Sequence, residues 1–107
     1  LDIILLKQGY NQVNNIIEIG GIFMERRIAV ISAVLENSKE CQGNFNDIVA
    51  SFQGLTYGRM GIPFHEQGIS VISLTVVGTM DEINSFTGKL GKIPNIQIKT
   101  AISKKEL

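Results

Sequence analysis

The chain has 107 residues, which is enough for one hydrophobic core and too few for two ordinary domains. Hydrophobic residues make up 44% of the chain and charged residues 19%, a composition typical of a folded globular domain. Ten basic residues balance ten acidic ones, so the chain lacks the broad positive field that non-specific nucleic-acid binding requires, and we expect no direct nucleic-acid binding.

The first 23 residues differ in character from the rest. Residues 1–6 are mostly apolar, but the run is too short to span a bilayer and lacks the basic start and cleavage site of a secretory signal. Gly20 and Gly21 stand just before Met24, and a Gly-Gly codon pair can read as a bacterial ribosome-binding site. We therefore predict that residues 1–23 are a translated leader or an added extension and that residues 24–107 form the domain. The alternative is an additional strand or helix that caps the domain.

A predicted strand and helix follow. Residues 28–35 are rich in β-branched side chains and are apolar at odd and even positions alike, which predicts a strand buried on both faces. Glu36-Asn37-Ser38 supplies short polar side chains suited to a turn and a helix cap. A helical stripe comes next and ends near Gly54; its members are Cys41, Phe45, Ile48, Val49 and Phe52.

The middle of the sequence predicts a hairpin. Leu55–Pro63 contains Gly58 and Gly61 and ends in a proline, which cannot donate to a β-ladder, so we predict an edge strand. Phe64–Gly68 forms a short connection to Ile69–Val77, which is again apolar at both parities.

The last third predicts a helix and a strand. Thr79 and Glu82 have the spacing of a capping box, and the helix that they begin stops at Gly91. Alternating residues from Ile96 to Ile102 then predict the final strand.

The order strand, helix, strand, strand, helix, strand is that of an α+β, ferredoxin-like βαββαβ sandwich. We predict a four-stranded antiparallel sheet, with the first and third strands central and two helices on one face. The two helices cover one face of the sheet and leave the apolar side chains on its other face uncovered. We therefore expect a homo-oligomer, a dimer or higher, packed sheet to sheet or edge to edge.

The residues that could carry chemistry do not form a catalytic group. His65 and Glu66 fall in the hairpin connection, where a solvated histidine is commoner than a metal ligand. Cys41 belongs to the buried stripe and is a poor candidate for a nucleophile. Gly88–Gly91 lacks the preceding strand of a phosphate loop. We therefore predict a non-enzyme with no catalytic residue and no metal site, and we assign no cofactor.

Several motifs together resemble one family. They are Met24–Val30, Gly58–Pro63, Gly68–Leu74, Thr79–Asn84 and Thr87–Gly91. With these motifs the chain resembles the small ACT-like proteins described as iron-only hydrogenase system regulators, over nearly everything after residue 23. The resemblance implies a ferredoxin-like fold related to ACT domains and nickel-repressor C-terminal domains, oligomerisation, and a role in hydrogenase expression or maturation. It brings no catalytic residue and no established ligand, and Cys41–Asn44 is the least family-like segment.

Two hypotheses for the function remain, with a third behind them. In the first, a cytoplasmic regulatory module binds a small-molecule effector at an interface near the strand-to-helix junction and the glycine-containing strand. The residues concerned are Glu36, Asn37, Ser38, Gly58, Arg59, Met60 and Gly61. Arg59 could equally clamp an anion, face solvent or form an interface ion pair. In the second hypothesis, a ligand-free dimer scaffolds the partners of hydrogenase maturation. The third is a small dimeric α+β enzyme that uses His65 or Arg59.

Overall fold

The strands and helices of the computed structural model follow the predicted order. The structure describes residues 2–5, 16–19 and 22–107. The elements are β1 (Asp2–Leu5), β2 (Ile16–Ile19), β3 (Ile22–Glu25), β4 (Arg27–Leu35), α1 (Ser38–Ser51), β5 (Thr56–Phe64), β6 (Ile69–Gly78), α2 (Met80–Gly91) and β7 (Ile96–Glu106). From β4 onward the order is βαββαβ, which confirms the ferredoxin-like α+β fold.

The main sheet is antiparallel and has the strand order β1-β5-β6-β4-β7. The four strands β5, β6, β4 and β7 form the predicted sheet, with the two strands that are apolar at both parities, β4 and β6, at its centre. They pair continuously from Arg27 opposite Gly78 to Leu35 opposite Ser70. Strands β2 and β3 pair with each other in a separate two-stranded antiparallel sheet.

Strand β5 is not at the edge of this sheet, so that prediction was wrong. Strand β1 pairs with it, placing Asp2 opposite Gly61 and Leu5 opposite Gly58. The proline that suggested an edge, Pro63, lies beyond the residues that pair with β1 and therefore interrupts no ladder there. Whether residues 1–23 are a leader stays a prediction, although β1 and β2 both lie within them.

The core lies between the two helices and one face of the sheet. Alternate residues of β4 and β6 point into it, since side chains along a strand alternate between the two faces. The core members are Ala29, Ile31, Ala33, Leu35, Cys41, Phe45, Val49, Leu55, Ile72, Leu74, Val76, Ile83, Phe86, Leu90 and Ile93. The rings of Phe52 and Phe86 stack with their centroids 4.9 Å apart and join α1 to α2.

The helix boundaries follow local chemistry. At the start of α2 the predicted capping box is present: the Glu82 amide donates to Thr79 Oγ1 at 3.2 Å, and the Thr79 amide donates to Glu82 Oε1 at 2.9 Å. Helix α1 ends at Ser51 with Phe52 as its C-cap, slightly before Gly54. Neither helix, nor any other helix of the described residues, is long and apolar enough to cross a membrane.

Candidate functional site

The junction between β4 and α1 is tied to two turns at the same end of the sheet. The Glu36 amide donates to the Asn95 carbonyl, and the Ser38 amide donates to the Gly68 carbonyl, both at 2.9 Å. Asn95 and Gly68 have positive φ values of 63° and 69°, which asparagine and glycine adopt most readily. The Gln97 side-chain amide also donates to the Glu36 carboxylate. Two other segments of the chain, at Gly68 and at Asn95–Gln97, therefore hold Glu36, Asn37 and Ser38 in one place.

Asn37 caps α1 through its backbone. Its carbonyl accepts from the amides of Glu40, at 3.1 Å, and Cys41, at 2.9 Å. Its side chain makes no capping hydrogen bond, so the expected cap by a short side-chain oxygen is not found at this helix. The exposed Asn37 carboxamide and Glu36 carboxylate thus give the junction a polar surface.

The four candidates on β5 divide between the two faces of the sheet. The register sets Arg59 opposite Leu74 and Gly61 opposite Ile72, both core residues, so Arg59 and Gly61 lie on the helix-covered face. The Arg59 guanidinium stands 5.5 Å from the centre of the Phe45 ring, a cation–π contact with α1. Gly58 and Met60 alternate with them and lie on the opposite face.

The seven candidates form two groups separated along the strands. Arg59 pairs with Leu74 of β6, and Leu74 pairs with Ile31 of β4, so Arg59 and Ile31 lie at the same position along the strand direction. Glu36 lies five residues after Ile31. At about 3.3 Å per residue, Arg59 and Glu36 are roughly 17 Å apart along the strand direction. A small metabolite bound at Glu36 would therefore not contact Arg59.

His65 and Cys41 sit as the sequence predicted. Cys41 is buried, and its thiol donates to the Pro94 carbonyl with the sulfur 3.1 Å from the oxygen. His65 is exposed in the turn between β5 and β6. Within the part of the chain that the structure describes, no three His, Cys, Asp or Glu residues are grouped so as to hold a metal ion.

A buried arginine was missed by the sequence analysis. Arg26 is only 2% exposed, and its Nη2 donates to the Tyr57 hydroxyl at 3.3 Å. The register of β5 against β6 shifts between Thr56 and Gly58, so Tyr57 is the extra residue of a β-bulge, a feature that often re-aims a side chain. No sequence signal marks this pair, because Arg26 beside Arg27 resembles an ordinary basic surface segment.

The sheet face opposite the helices, here called the open sheet face, carries apolar side chains on both sides of a row of serines. It consists of the residues of β4, β5, β6 and β7 that alternate with the core residues. Its apolar members are Ile28, Val30, Val34, Met60, Ile62, Phe64, Ile69, Val71, Val77 and Ala101, of which Val77 is buried. Its other members include Ser32, Gly58, Ser73, Thr75, Gln97, Lys99 and Lys105. Four of the larger side chains are exposed by 38–46%: Val30, Met60, Ile62 and Phe64.

The sequence model of one family matches this chain over residues 27–100. That family is TM1266-like, described as "Iron-only hydrogenase system regulator, putative". The chain belongs to the TM1266-like family. The match begins with β4 and ends within β7, so all seven candidate residues of this TM1266-like chain lie inside it.

A solved structure supports the same relationship. It is "The structure of uncharacterized protein TM1266 from Thermotoga maritima", and the two chains are 28% identical with a TM-score of 0.71. The alignment covers 75% of this TM1266-like chain and 100% of the other. A search of curated proteins gave no match. The two matches therefore show the family and the fold, and a regulatory role rests on the family's description alone.

Proposed function

We propose that this protein is a non-enzymatic, cytoplasmic regulator of the iron-only hydrogenase system that responds to a small effector. The observation that carries the proposal is the match to the TM1266-like family over residues 27–100, which includes both helices and most of the four-stranded sheet. The cytoplasmic assignment has a separate support. The only cysteine, Cys41, is a buried free thiol, as is usual in a reducing compartment.

The placement of the reactive side chains supports a binding role over catalysis. Cys41 is buried against a carbonyl, His65 stands in an exposed turn, and Arg59 packs over the Phe45 ring. Cys41 lies in α1, His65 in the turn after β5 and Arg59 within β5. A nucleophile without an adjacent base lacks the activation that covalent catalysis requires.

The effector site that we favour is the junction of β4 and α1. Glu36, Asn37 and Ser38 are fixed there by turns from two other parts of the chain, and their position couples a bound molecule to both central strands. Binding would shift the population between two states of the protein, to the extent that the effector's affinity for the two states differs.

The effector proposal is tested by thermal unfolding in the presence of metals, amino acids and nucleotides. An effector present at 100 times its Kd stabilises the native state by about 2.7 kcal/mol. For a domain of about 100 residues, that stabilisation raises Tm by more than about 10 °C. We expect the shift to be lost in Glu36→Gln and retained in Arg59→Gln. The reverse pattern would move the site to β5, and no shift with any compound would contradict effector binding.

The regulatory role has its own experiment. Cells that lack the protein are compared with the parent strain for iron-only hydrogenase transcript and for hydrogenase activity. We expect at least one of the two to change, transcript for control of expression and activity alone for control of maturation. If both are unaltered under hydrogen-producing conditions, the protein is not a regulator of this system.

A ligand-free interaction protein is the second candidate. The exposed apolar residues of the open sheet face favour it, since such surfaces commonly mark protein contacts. Loss of hydrogenase activity in the absence of any effector-dependent thermal shift is the result that would select this alternative.

A further inference from the structure

We propose that the open sheet face binds the same face of a second copy of this chain, forming a two-fold symmetric dimer. The inference goes beyond the regulatory role and does not depend on it. A dimer would remain a dimer even if no effector were found, so the two proposals fail separately.

The first argument is the apolar character of the surface. Core residues of β4 and β6 are covered by α1 and α2, and the residues that alternate with them are covered by neither helix. Val30, Met60 and Ile62 remain 41%, 39% and 38% exposed on this face. Because burying apolar surface stabilises by about 25 cal/mol per Å², a solvent-facing surface of this kind is costly without a partner.

The second argument is charge. The charged residues of β4, β5, β6 and β7 that alternate with the core residues are Lys99 and Lys105, both on β7 at one side of the surface. A nucleic acid or an anionic membrane would require a cationic surface, and a strongly charged protein would require the opposite charge. The whole chain has no net charge, so a second copy approaches without long-range repulsion. It also offers an apolar surface of identical extent.

The third argument is area. Strands spaced about 4.8 Å apart, with roughly nine residues each at about 3.3 Å per residue, give four strands a face of about 570 Å² in projection. Because side chains protrude from the sheet, the solvent-accessible area of the face is larger than its projected area. Standard stable interfaces bury about 600–1,000 Å² on each partner, so one such face falls in the lower part of that range.

The fourth argument is the shape of the face. Ser32 and Ser73 lie directly opposite each other on the central strands, and the bulkier Met60 stands beside Ser73 on β5. Packed sheets approach to about 10 Å with interdigitating side chains, which requires small residues facing large ones. A surface with a shallow centre and a bulky flank can provide both sides of this contact, as a two-fold interface demands.

Pairing through the sheet edges is less favourable. Strand β1 occupies the edge next to β5. The other edge is β7, which carries Lys99, Lys104 and Lys105, and lysines on an edge strand oppose the addition of a further strand.

The test is the mass of the full chain in solution by light scattering coupled to size exclusion. We expect a species of about twice 11.8 kDa. Val30→Lys places one charge per chain on the face, hence two in the symmetric interface. It should raise the dimer Kd by roughly a hundredfold or more and give a monomer at micromolar concentration.

Thr100→Lys is the matched control. Thr100 is an exposed β-branched residue of the same sheet, and it lies opposite Ile31 on the helix-covered side. This variant should remain a dimer. Far-UV circular dichroism checks that both variants are folded, and Met60→Lys replaces Val30→Lys if the latter does not fold. A monomeric wild type, or a dimer that survives Val30→Lys and Met60→Lys alike, would overturn the proposal.

Discussion

Glu25 and Glu106 bring two carboxyl groups together at the end of the sheet where Arg27 begins β4. Arg27 bonds Glu106 at 3.4 Å across the β4–β7 pairing. The hydrogen bond between the two carboxyl groups raises the pKa of Glu25, and repulsion from Glu106 adds to the increase, while Arg27 partly opposes it. The protonated form of Glu25 is therefore favoured in the folded protein.

This pair makes stability depend on pH in a defined direction. Between the ordinary pKa of about 4.5 and the raised value, the folded state binds more protons than the unfolded state. The free energy of unfolding therefore falls as pH rises through this window and stays lower above it. Glu25→Gln removes the titrating group, so we expect the variant to lack this decline and to exceed the wild type in stability at pH 7. Urea denaturation at a series of pH values measures both effects.

Glu66→Gln is the control for this experiment. It removes an equally exposed glutamate from the turn between β5 and β6, away from Glu106, and should leave the pH profile unchanged. A profile of Glu25→Gln that is parallel to the wild type would show that the two carboxyl groups do not interact in solution.

At the scale of elements, α2 illustrates how a local pattern determines a helix start. Thr79 is 1% exposed, and its hydroxyl accepts from the Glu82 amide. We expect Thr79→Ala to reduce the free energy of unfolding by about 1–2 kcal/mol, since it leaves a helix-terminal amide without its acceptor. Chemical denaturation followed by circular dichroism measures the loss.

Thr87→Ala provides the matched comparison within the same helix. The Thr87 hydroxyl donates to the Asn84 carbonyl at 3.3 Å, an exposed contact inside the helix. Alanine has the higher helix propensity, so this change should be neutral within about 0.5 kcal/mol or slightly stabilising. Equal losses in the two variants would refute a special role for the cap.

The elements that could be predicted are those whose signal is local. The capping box of α2 and the two-faced apolar strands β4 and β6 depend on spacings within one segment, and each was found as predicted. The prediction that β5 is an edge strand was wrong. Pro63 lacks an amide hydrogen only at its own position, and this says nothing about Gly58–Gly61, where β1 pairs with β5. The Tyr57 bulge and its contact with Arg26 depend on a register shift that no local pattern encodes.

For the whole molecule, the predicted boundary at Met24 can be tested directly. A chain that begins at Met24 retains all residues matched by the family and all of the βαββαβ elements. We expect it to fold cooperatively. Without β1, the backbone of Gly58–Gly61 loses its neighbour, so amide hydrogen exchange in β5 should be faster than in the full chain.

Exchange in β4 serves as the internal control, because its neighbours β6 and β7 are both retained. A truncated chain that does not fold would show that residues 1–23 are an integral part of the domain.

The candidate site was harder to predict than the fold. Glu36, Asn37 and Ser38 adjoin in sequence, so their proximity was certain, but their anchoring to Gly68 and Asn95 comes from turns far along the chain. The separation of Glu36 from Arg59, roughly 17 Å along the strand direction, depends on counting registers across three strands, which becomes possible only once the pairing is known.

The pairing of β4 also bears on how the protein is made. Its neighbours in the sheet are β6 and β7, and the Arg27–Glu106 ion pair joins residues 79 positions apart. The hairpin of β5 and β6 can form as soon as those residues leave the ribosome. Strand β4, at the centre of the sheet, stays without its second neighbour until β7 is synthesised. Such long-range pairing slows folding, so a newly made chain passes through a stage in which β4 lacks one of its two neighbours.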